Sequence, residues 1–438
     1  MTEVIFSFDT EDYTNPGSDE AILRLAGALQ AEGIRASFNF VAVLAEALVD
    51  RGRQDILEAL RFHEINYHSY RHSWHPVPAE YSDCPDWDSP YRRLVTEETP
   101  GIEVVKKVFQ RERLFAAVPP GNCITAQGLY AYAELGLPIC VSSFPLRETG
   151  GRSIYYCNGV YVENNEFWDS LLLKEGLDGI YKRIDQWRTW ERLVICMHPN
   201  LIFYKTFWDK LNLDGANLVE WGHWRLAECR SPEVIEQFFV NFREAVQALK
   251  QDPRFRFITF QDVFESQPRR KNLSLHALNV LLKTTSQKFF YASHEENCYS
   301  LAEIFAACVY FLTGGQGAYE LEPLSGPRNE PVGVSEITRI NTSDLRQAAN
   351  RLGRETTVPS QIQVGKVRIG PRDFMEAASQ ALQGVDQVVL HPKPQMPDLS
   401  GFHHLNESHL AGTWLYSPEF MDEWVSRRLK WQSWTIHL

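Results

Sequence analysis

Residues 4–13, VIFSFDTEDY, decide the fold class, because a strand-like run ends directly in a cluster of acids. The run VIFSF is followed by three carboxylates within four residues, Asp9, Glu11 and Asp12. Carboxylates this close cannot all ionise without a large energetic penalty unless a cation or hydrogen-bond donors share their charge. The same residues are also compatible with a solvated acidic turn that has no metal or catalytic role. The interpretation therefore depends on what the rest of the chain brings to this strand end.

The first 265 residues alternate short β-type runs with helical periods. This alternation predicts an α/β fold with a parallel sheet or barrel, whose chemistry lies at the carboxyl ends of the strands. Strands are predicted at Val4–Phe8, Ala36–Val41, Ile65–His68, Pro138–Phe144, Ile154–Val162, Leu193–Met197 and Phe255–Phe260. Helices are predicted at Glu20–Ala31, Val41–Val49, Tyr130–Leu135 and Gly179–Arg192, with a further helix start at Ser231-Pro232.

A polar, proline-containing segment at 267–272 marks a domain boundary, which predicts a first domain over 1–266 and a mainly helical second domain over 273–438. Two pairs of helical segments in the second domain resemble each other weakly at an offset of 70 residues, which predicts a tandem repeat. The helical segments are Leu275–Thr284, Ser300–Leu312, Thr342–Leu352 and Pro371–Leu382.

Three histidines follow strand-like runs in the first domain. His68 and His72 are four residues apart, which predicts that they lie on one face of a helical turn and can share a metal. His198 directly follows the apolar run LVICM, residues 193–197. Each pattern alone is common in proteins whose histidines only pack or bond structurally. Together with the acidic strand end they predict a two-histidine, one-carboxylate metal site with His198 as a general acid.

The composition narrows the class of protein. The chain has 44 Lys+Arg against 56 Asp+Glu, a formal net charge of −12, which argues against non-specific binding to nucleic acid. Its eight cysteines form no CxxC pair, a pattern typical of the cytosol, and the N-terminus lacks the features of a signal peptide. The most apolar stretch, Leu301–Leu312, is too short to span a bilayer. We expect a cytoplasmic protein with no membrane span, and homo-oligomerisation through the helical half stays open.

The motifs resemble a known family in their order along the chain. HEINYHSYRHS (63–73) is similar to the second motif of the polysaccharide deacetylases, the NodB-homology fold of carbohydrate esterase family 4. The run IFSFDTEDY resembles the first motif, FAAVPPG (115–121) the third, VICMHP the last, and FRFITFQDVF the closing strand. The resemblance covers about residues 1–265.

The resemblance implies a distorted, TIM-like (β/α) barrel of about seven strands that holds a divalent metal, most often zinc, with cobalt, nickel, manganese and iron as alternatives. Carried over by position, His68 and His72 are metal ligands. Either Glu11 or Asp12 is the carboxylate ligand, because the adjacent Asp-Asp of the family is absent. Strand alternation places Glu11 on the same side as Asp9, which favours Glu11.

The family also implies catalytic roles. Asp9 is the general base and His198 the acid that protonates the leaving amine, with a metal-bound water as the nucleophile. The family's fourth motif contains an Asp and a Trp. The nearest candidate here is Trp168-Asp169, to which we assign no role from sequence.

The third motif departs from the family pattern. Its arginine is replaced by Ala117, and the position whose main-chain N–H helps to hold the oxyanion is Pro120, which has no N–H. Pro119 and Gly121 are the expected substrate contacts, and Gly121 offers the substitute N–H. A missing oxyanion donor costs about 10²–10³ in rate, which indicates a changed substrate or a degenerate enzyme.

The second domain carries a fainter resemblance. Residues 358–374, VPSQIQVGKVRIGPRDF, resemble a pseudomurein-binding repeat, and Ser300–Phe305 resembles the end of an earlier copy. This implies glycan contact, against the alternative of a helical dimerisation or lid domain. Histidines and tryptophans near the chain end can suggest a metal or sugar site, but we expect these aromatics to pack the last helix and strand: His403, His404, His409, Trp414, Trp424, Trp431 and Trp434.

The expected function is therefore metal-dependent hydrolysis of an N-acetyl amide on an amino sugar or a glycan precursor. Two alternatives stay open: hydrolysis of a cyclic amide or ureide on the same fold, and a catalytically degenerate glycan-binding protein.

Overall fold

A computed structural model of the chain describes residues 1–147, 149–214, 218–267, 270–353, 355–407, 410 and 414–438. The chain divides into two compact units. The first comprises Met1–Ser153, Val160–Gln267 and His409–Trp424, and the second comprises Ile154–Gly159, Pro268–Ser408 and Val425–Leu438. Residues 268 and 269 of the predicted boundary segment lie outside the described residues.

Strands and helices alternate through the first unit, and helices predominate in the second. The strands are β1 Thr2–Thr10, β2 Ser37–Phe40, β3 Glu64–Tyr67, β4 Ala116–Ala117, β5 Ile139–Ser142, β6 Ile154–Tyr156, β7 Gly159–Glu163, β8 Glu166–Phe167, β9 Arg192–Met197, β10 Phe255–Phe257, β11 Ala292–His294, β12 Asn297–Tyr299, β13 Thr338–Asn341, β14 Ile362–Val364, β15 Val367–Ile369 and β16 Gln387–Leu390. The α-helices are α1 Gly17–Ala31, α2 Ala42–Asp50, α3 Gln54–Ala59, α4 Pro78–Ser82, α5 Asp88–Val108, α6 Ala126–Glu134, α7 Trp168–Lys174, α8 Gly176–Trp187, α9 Pro199–Phe203, α10 Trp208–Asn212, α11 Pro232–Gln251, α12 Phe260–Glu265, α13 Leu275–Gln287, α14 Leu301–Leu312, α15 Thr342–Leu352, α16 Pro371–Ala381, α17 His403–Glu407 and α18 Glu423–Trp431. Short 3₁₀ turns lie at Leu60–Phe62, Pro120–Asn122 and Gln432–Thr435.

A parallel sheet forms the centre of the first unit, which confirms the predicted α/β class. Its strands follow the order β7-β5-β4-β3-β2-β1-β9-β8, with neighbours paired in parallel, and β10 pairs with the start of β1. Residues 4–10 of β1 are all buried, as expected of a parallel strand that is covered on both faces. Phe8 of β1 stacks on Phe38 of β2 with ring centroids 4.7 Å apart, and Phe6 packs edge-on against Trp168 at 5.6 Å.

Most predicted elements exist in the first unit, with several differences. The helices α3, α4, α7, α9, α10 and α12 were not predicted, and the strand predicted at Phe255–Phe260 ends at Phe257, with α12 beginning at Phe260. The predicted strand at Ile154–Val162 is two strands, β6 and β7. The short strands β4 and β8 were not predicted. The longest helix, α5, was also missed because Pro100 and Gly101 lie inside it and are typical of a helix end. Gly101 is required there because a Cβ would collide with the Tyr67 hydroxyl.

The second unit contains a helix–hairpin–helix arrangement twice. In the first copy α13 is followed by the antiparallel pair β11–β12 and then by α14, and in the second α15 is followed by β14–β15 and α16. Ala292 and Ile362, which begin the two hairpins, are 70 residues apart. The four predicted helices of this half are present as α13 to α16. The resemblance to pseudomurein-binding repeats, and the glycan contact that it implies, stay predictions.

None of the helices in the described part of the chain is both long enough and apolar enough to cross a membrane.

The buried carboxylate of Glu64 accepts hydrogen bonds from distant parts of the first unit, so its removal should destabilise the fold. Glu64 is only 4% exposed and accepts hydrogen bonds from the main-chain N–H groups of Phe260 and Gln261 at 3.1 and 2.6 Å and from Asn66 Nδ2 at 2.9 Å. Glu64→Ala would leave these donors unpaired. We therefore expect the free energy of unfolding to fall by about 2–3 kcal/mol in urea denaturation. Glu58→Ala, at an exposed carboxylate, is the matched control and should change it by less than about 0.5 kcal/mol. Equal stability of the two variants would contradict this role for Glu64.

Candidate metal centre and active site

A carboxylate and two histidines meet at the carboxyl edge of the parallel sheet. Glu11 follows β1, and His68 and His72 follow β3. Glu11 Oε2 lies 2.9 Å from His72 Nε2 and 3.5 Å from His68 Nε2. The three side chains are buried, and one ligand-type atom from each lies within 4.8 Å of the others. This is the geometry of a two-histidine, one-carboxylate metal site with further positions open.

The hydrogen bonds around this cluster fit a cation. His68 Nδ1 donates to the Val118 carbonyl at 2.5 Å, which leaves the Nε2 lone pair facing Glu11. Nε2 of His68 and Oε1 of Glu11 are buried and have no hydrogen-bond partner. Buried polar atoms are normally satisfied, so two unpartnered atoms on neighbouring side chains indicate the place of a ligand. Burial opposes ionisation of Glu11, but the charge of His72 and the contact with the two adjacent imidazoles hold the pKa of Glu11 well below its usual range.

The segment that carries the histidines is not helical, so the predicted helical turn is wrong. Ser69 and His72 both have left-handed backbones, with φ of 73° and 55°. The main-chain N–H of His72 donates to Ser69 Oγ at 2.9 Å, which closes a tight turn. The two imidazole rings still come within 5.1 Å of each other. His72 Nδ1 also lies 3.4 Å from Asp209 Oδ2 of α10, a partner that the sequence analysis missed.

The third carboxylate of the acidic cluster faces a different set of groups. Asp12 Oδ1 accepts from the main-chain N–H groups of Thr14 and Asn15 at 3.0 and 2.9 Å, and Asp12 Oδ2 accepts from Ser18 Oγ at 2.7 Å. Burial raises the pKa of Asp12 in spite of these donors. Asp12 therefore caps the turn into α1, while Glu11 is the carboxylate that meets the histidines.

The two predicted catalytic residues lie beside each other. Asp9 Oδ2 is 3.8 Å from His198 Nε2, and the opposite nitrogen, His198 Nδ1, contacts Asp169 Oδ2 at 2.6 Å. Asp169 also accepts from the main-chain N–H of His198 at 2.8 Å. The Trp168-Asp169 pair, which had no role from sequence, thus contributes the carboxylate that orients His198. In the sequence, the signal for Asp169 was that Trp168-Asp169 is the nearest match to the fourth motif of the family.

The electrostatic setting keeps His198 protonated. Burial alone would lower the pKa of His198, but the Asp169 carboxylate overcomes burial and raises it to about 10. An imidazolium that faces an acidic strand end can donate a proton from Nε2.

Asp9 is oriented without the arginine of the family's third motif. Its Oδ1 accepts from Asn39 Nδ2 at 2.9 Å, and its Oδ2 accepts from Cys196 Sγ at 3.5 Å. Burial and the neighbouring Asp9 raise the pKa of Cys196 well above its usual value, so the thiol keeps its proton and acts as the donor. Asp9, Cys196 and His198 form a second group of ligand-type atoms within 4.8 Å of one another.

A cavity of about 810 Å³ opens over these residues. Asp9, Glu11, His68, His72 and His198 line it, together with the predicted substrate contacts Pro119 and Gly121. Trp414 lines it too, although the sequence analysis expected this side chain to pack the last helix and strand. Within the described part of the chain, neither of the two clusters that could hold a metal ion includes His403 or His404. His409 lies outside the described residues.

No protein-family model and no curated protein matches the chain. Similar solved structures include a putative polysaccharide deacetylase from Mycobacterium smegmatis, at 15% identity over 62% of this chain and 94% of that chain with a TM-score of 0.42. Others are a 4-α-glucanotransferase from Thermococcus litoralis (12%, 65% and 46%, TM-score 0.43) and a CE4 family pseudoenzyme from Bacillus anthracis (8%, 60% and 64%, TM-score 0.34). The chain thus spans less than two thirds of the last two. CE4 proteins, the family whose motifs the sequence resembles, recur among the similar structures.

The cluster predicts a metal stoichiometry that separates the two candidate carboxylates. We expect about one divalent metal per chain by mass spectrometry after incubation with zinc. Glu11→Gln and His68→Ala should lose it, because each removes a ligand atom from a three-ligand site. Asp12→Asn is the matched control and should keep the metal. Retention of metal by Glu11→Gln with loss in Asp12→Asn would reverse the assignment.

Proposed function

We propose that the chain is a metal-dependent hydrolase that removes the N-acetyl group from an amino-sugar-containing substrate. The observation that carries the proposal is the pair of unpartnered atoms on Glu11 and His68, adjacent to His72 and within one cavity with Asp9 and His198. A candidate metal site, a carboxylate base and a protonated imidazole at one strand edge are the groups that metal-dependent amide hydrolysis uses.

Glu11, His68 and His72 would hold the divalent cation through Oε and the two Nε2 atoms. A cation there supplies a Lewis acid, which polarises the amide carbonyl and makes water more acidic. Zinc suits two imidazoles and a carboxylate, and cobalt, nickel, manganese and iron bind the same donors.

The remaining roles belong to side chains of this chain. Asp9 accepts the proton of the attacking water, held in position by Asn39 and Cys196. His198 donates its Nε2 proton to the leaving nitrogen, and Asp169 keeps the imidazole oriented and charged. Pro120 has no main-chain N–H, so the next one along the chain, that of Gly121, would donate to the oxyanion.

A second candidate is a glycan-binding protein without catalysis. It is favoured by one specific observation, the replacement of the motif's arginine and of its N–H donor by Ala117 and Pro120. Cyclic amide hydrolysis on the same site is the third outcome that an assay must separate.

Acetate release tests the proposal directly. We expect the zinc-loaded protein to release acetate from N-acetylglucosamine oligomers, and Asp9→Asn to lower kcat by about 10²–10⁴ because the general base is lost. Metal content should stay at the wild-type value in Asp9→Asn. Asp50→Asn, at an exposed position of α2, is the control and should retain full activity. Turnover of a cyclic ureide without acetate release supports the cyclic amide reading. Glycan binding without either reaction supports the non-catalytic one.

The Asp169–His198 pair predicts a change in the pH profile. The pKa of His198 is raised to about 10, so the protonated acid persists through the neutral range and is lost as the pH rises through that value. Asp169→Asn removes the largest contribution that raises the pKa of His198, while burial still lowers that pKa. The alkaline limb of kcat should therefore move to lower pH, and kcat should fall. Asp178→Asn, at an exposed position of α8, should leave the profile unchanged. An unshifted limb in Asp169→Asn would show that His198 is not the acid.

A further inference from the structure

Four cationic side chains line the active-site cavity, although the chain as a whole carries a formal net charge of −12. The described carboxylates of the cavity are Asp9, Glu11 and Asp209, and Asp209 lies against His72. The proposed reaction uses none of the cations, so their presence in the cavity needs another explanation. They are Lys174, Lys205, Lys210 and Arg230.

Two of the cations belong to segments that contact His198. Asp169, in the first turn of α7, contacts His198 Nδ1 at 2.6 Å, and Lys174 is the last residue of the same helix. Lys174 therefore lies about 7.5 Å further along the helix axis. Phe207 packs edge-on against the His198 ring with centroids 5.0 Å apart, and Lys205 precedes Phe207 by two residues. These lysines border the part of the cavity that contains the proposed acid.

Arg230 is fixed beside the same histidine. Its Nε donates to the carbonyl of Leu201 at 3.0 Å, and the main-chain N–H of Leu201 donates to the carbonyl of His198 at 3.0 Å. Leu201 also lines the cavity. The contact with Leu201 uses only Nε of the guanidinium, so the two Nη groups are the donors that a ligand in the cavity can reach.

Two of the four cations lack a counter-ion. In the part of the chain that the structure describes, no carboxylate forms an ion pair with Arg230 or Lys174. The other two pair with exposed carboxylates, Lys205 with Glu228 and Lys210 with Asp214. Arg230 is half-buried, and burial lowers its pKa with no carboxylate to oppose the effect. A desolvated charge without a partner is costly, and an anionic ligand would offset that cost.

The proposed reaction directs the substrate toward these cations. The acetyl carbonyl has to face the metal cluster, and the leaving nitrogen has to face Nε2 of His198, which protonates it. The sugar is bonded to that nitrogen, so its ring and substituents extend along the walls beside His198. A charged substituent on the same ring then lies within the reach of Lys174 and Arg230.

From this arrangement we infer that Arg230 and Lys174 bind a phosphate group of the substrate, so that the substrate is a phosphorylated N-acetylamino sugar. A phosphate monoester carries a charge close to −2 at neutral pH, which matches two cations without counter-ions. The planar guanidinium can donate to two phosphate oxygens, and the lysine adds a point charge. This inference rests on the proposed hydrolase function and specifies its substrate class.

A comparison of charged and neutral substrates tests the inference. The zinc-loaded wild type should release acetate from N-acetylglucosamine 1-phosphate or 6-phosphate with a kcat/KM at least about tenfold above that for N-acetylglucosamine. Sodium chloride at high concentration should reduce this advantage because it screens exposed charges. N-acetylmuramic acid, whose anion is a carboxylate, should show a smaller advantage.

Variants of the two cations show whether they bind the phosphate. Arg230→Gln and Lys174→Gln should each lower the ratio of kcat/KM for the phosphorylated sugar to that for the neutral sugar about tenfold, mainly through KM. Arg225→Gln removes an exposed arginine outside the cavity and is the matched control with the wild-type ratio. All three variants should keep about one zinc per chain, which separates a lost contact from a damaged fold.

Direct binding gives a readout that does not depend on turnover. Calorimetry with the inactive variant Asp9→Asn should show the sugar phosphate binding about tenfold more tightly than it binds to Asp9→Asn/Arg230→Gln. Equal kcat/KM for phosphorylated and neutral sugars in the wild type would overturn the phosphate site and leave the proposed function standing. An equal advantage for N-acetylmuramic acid would overturn the choice of phosphate. No acetate release from any of these sugars or from N-acetylglucosamine oligomers would overturn both proposals.

Discussion

The parallel pairing of β1 with a strand on each side is the constraint on which the site depends. β9 pairs along Glu3–Phe8, and β2 pairs along Ser7–Thr10. Because neighbouring strands run in the same direction, the residues that follow them are all delivered to one edge. Asp9 and Glu11 come from β1 and His198 from β9. Two strands further along, β3 delivers His68 to the same edge. Asp9, Glu11, His68 and His198 therefore all lie at or next to the end of the strand that positions them.

The acidic strand end shows how one fold accommodates three carboxylates close together. Asp12 is satisfied by donors of its own turn, the main-chain N–H groups of Thr14 and Asn15 and the Ser18 hydroxyl. Asp9 receives neutral donors from the neighbouring strands. Glu11 alone faces two imidazoles and keeps an unpartnered oxygen. The penalty for crowding like charges is thus relieved in three different ways, and only one of them leaves a position for a cation.

The sequence predicted those parts of the site that follow directly from strand ends, and it missed those that depend on tertiary contacts. Alternating periods located β1, β3 and β9, and therefore Asp9, His68 and His198. The left-handed turn at His72 depends on a hydrogen bond to Ser69 and has no signal in the spacing of the histidines. Asp169 reaches His198 only because β8 pairs with β9. Trp414 comes from a distant segment, and no periodicity indicates where such a segment lies.

The third motif departs from the family that it resembles, but the carboxylate of Asp9 still has hydrogen-bond donors that orient it. In the family an arginine orients the base, whereas here Asn39 stands directly opposite Asp9 in the register of β1 and β2 and donates to it. A neutral amide orients the carboxylate without forming an ion pair with it. The second change, Pro120, precedes the left-handed Gly121 on which Trp414 rests. Compared with the motif that it resembles, this segment lacks the arginine and one main-chain donor, and its glycine leaves room for the Trp414 indole. The candidate metal-binding side chains Glu11, His68 and His72 and the His198–Asp169 pair are assembled at the same edge of the sheet.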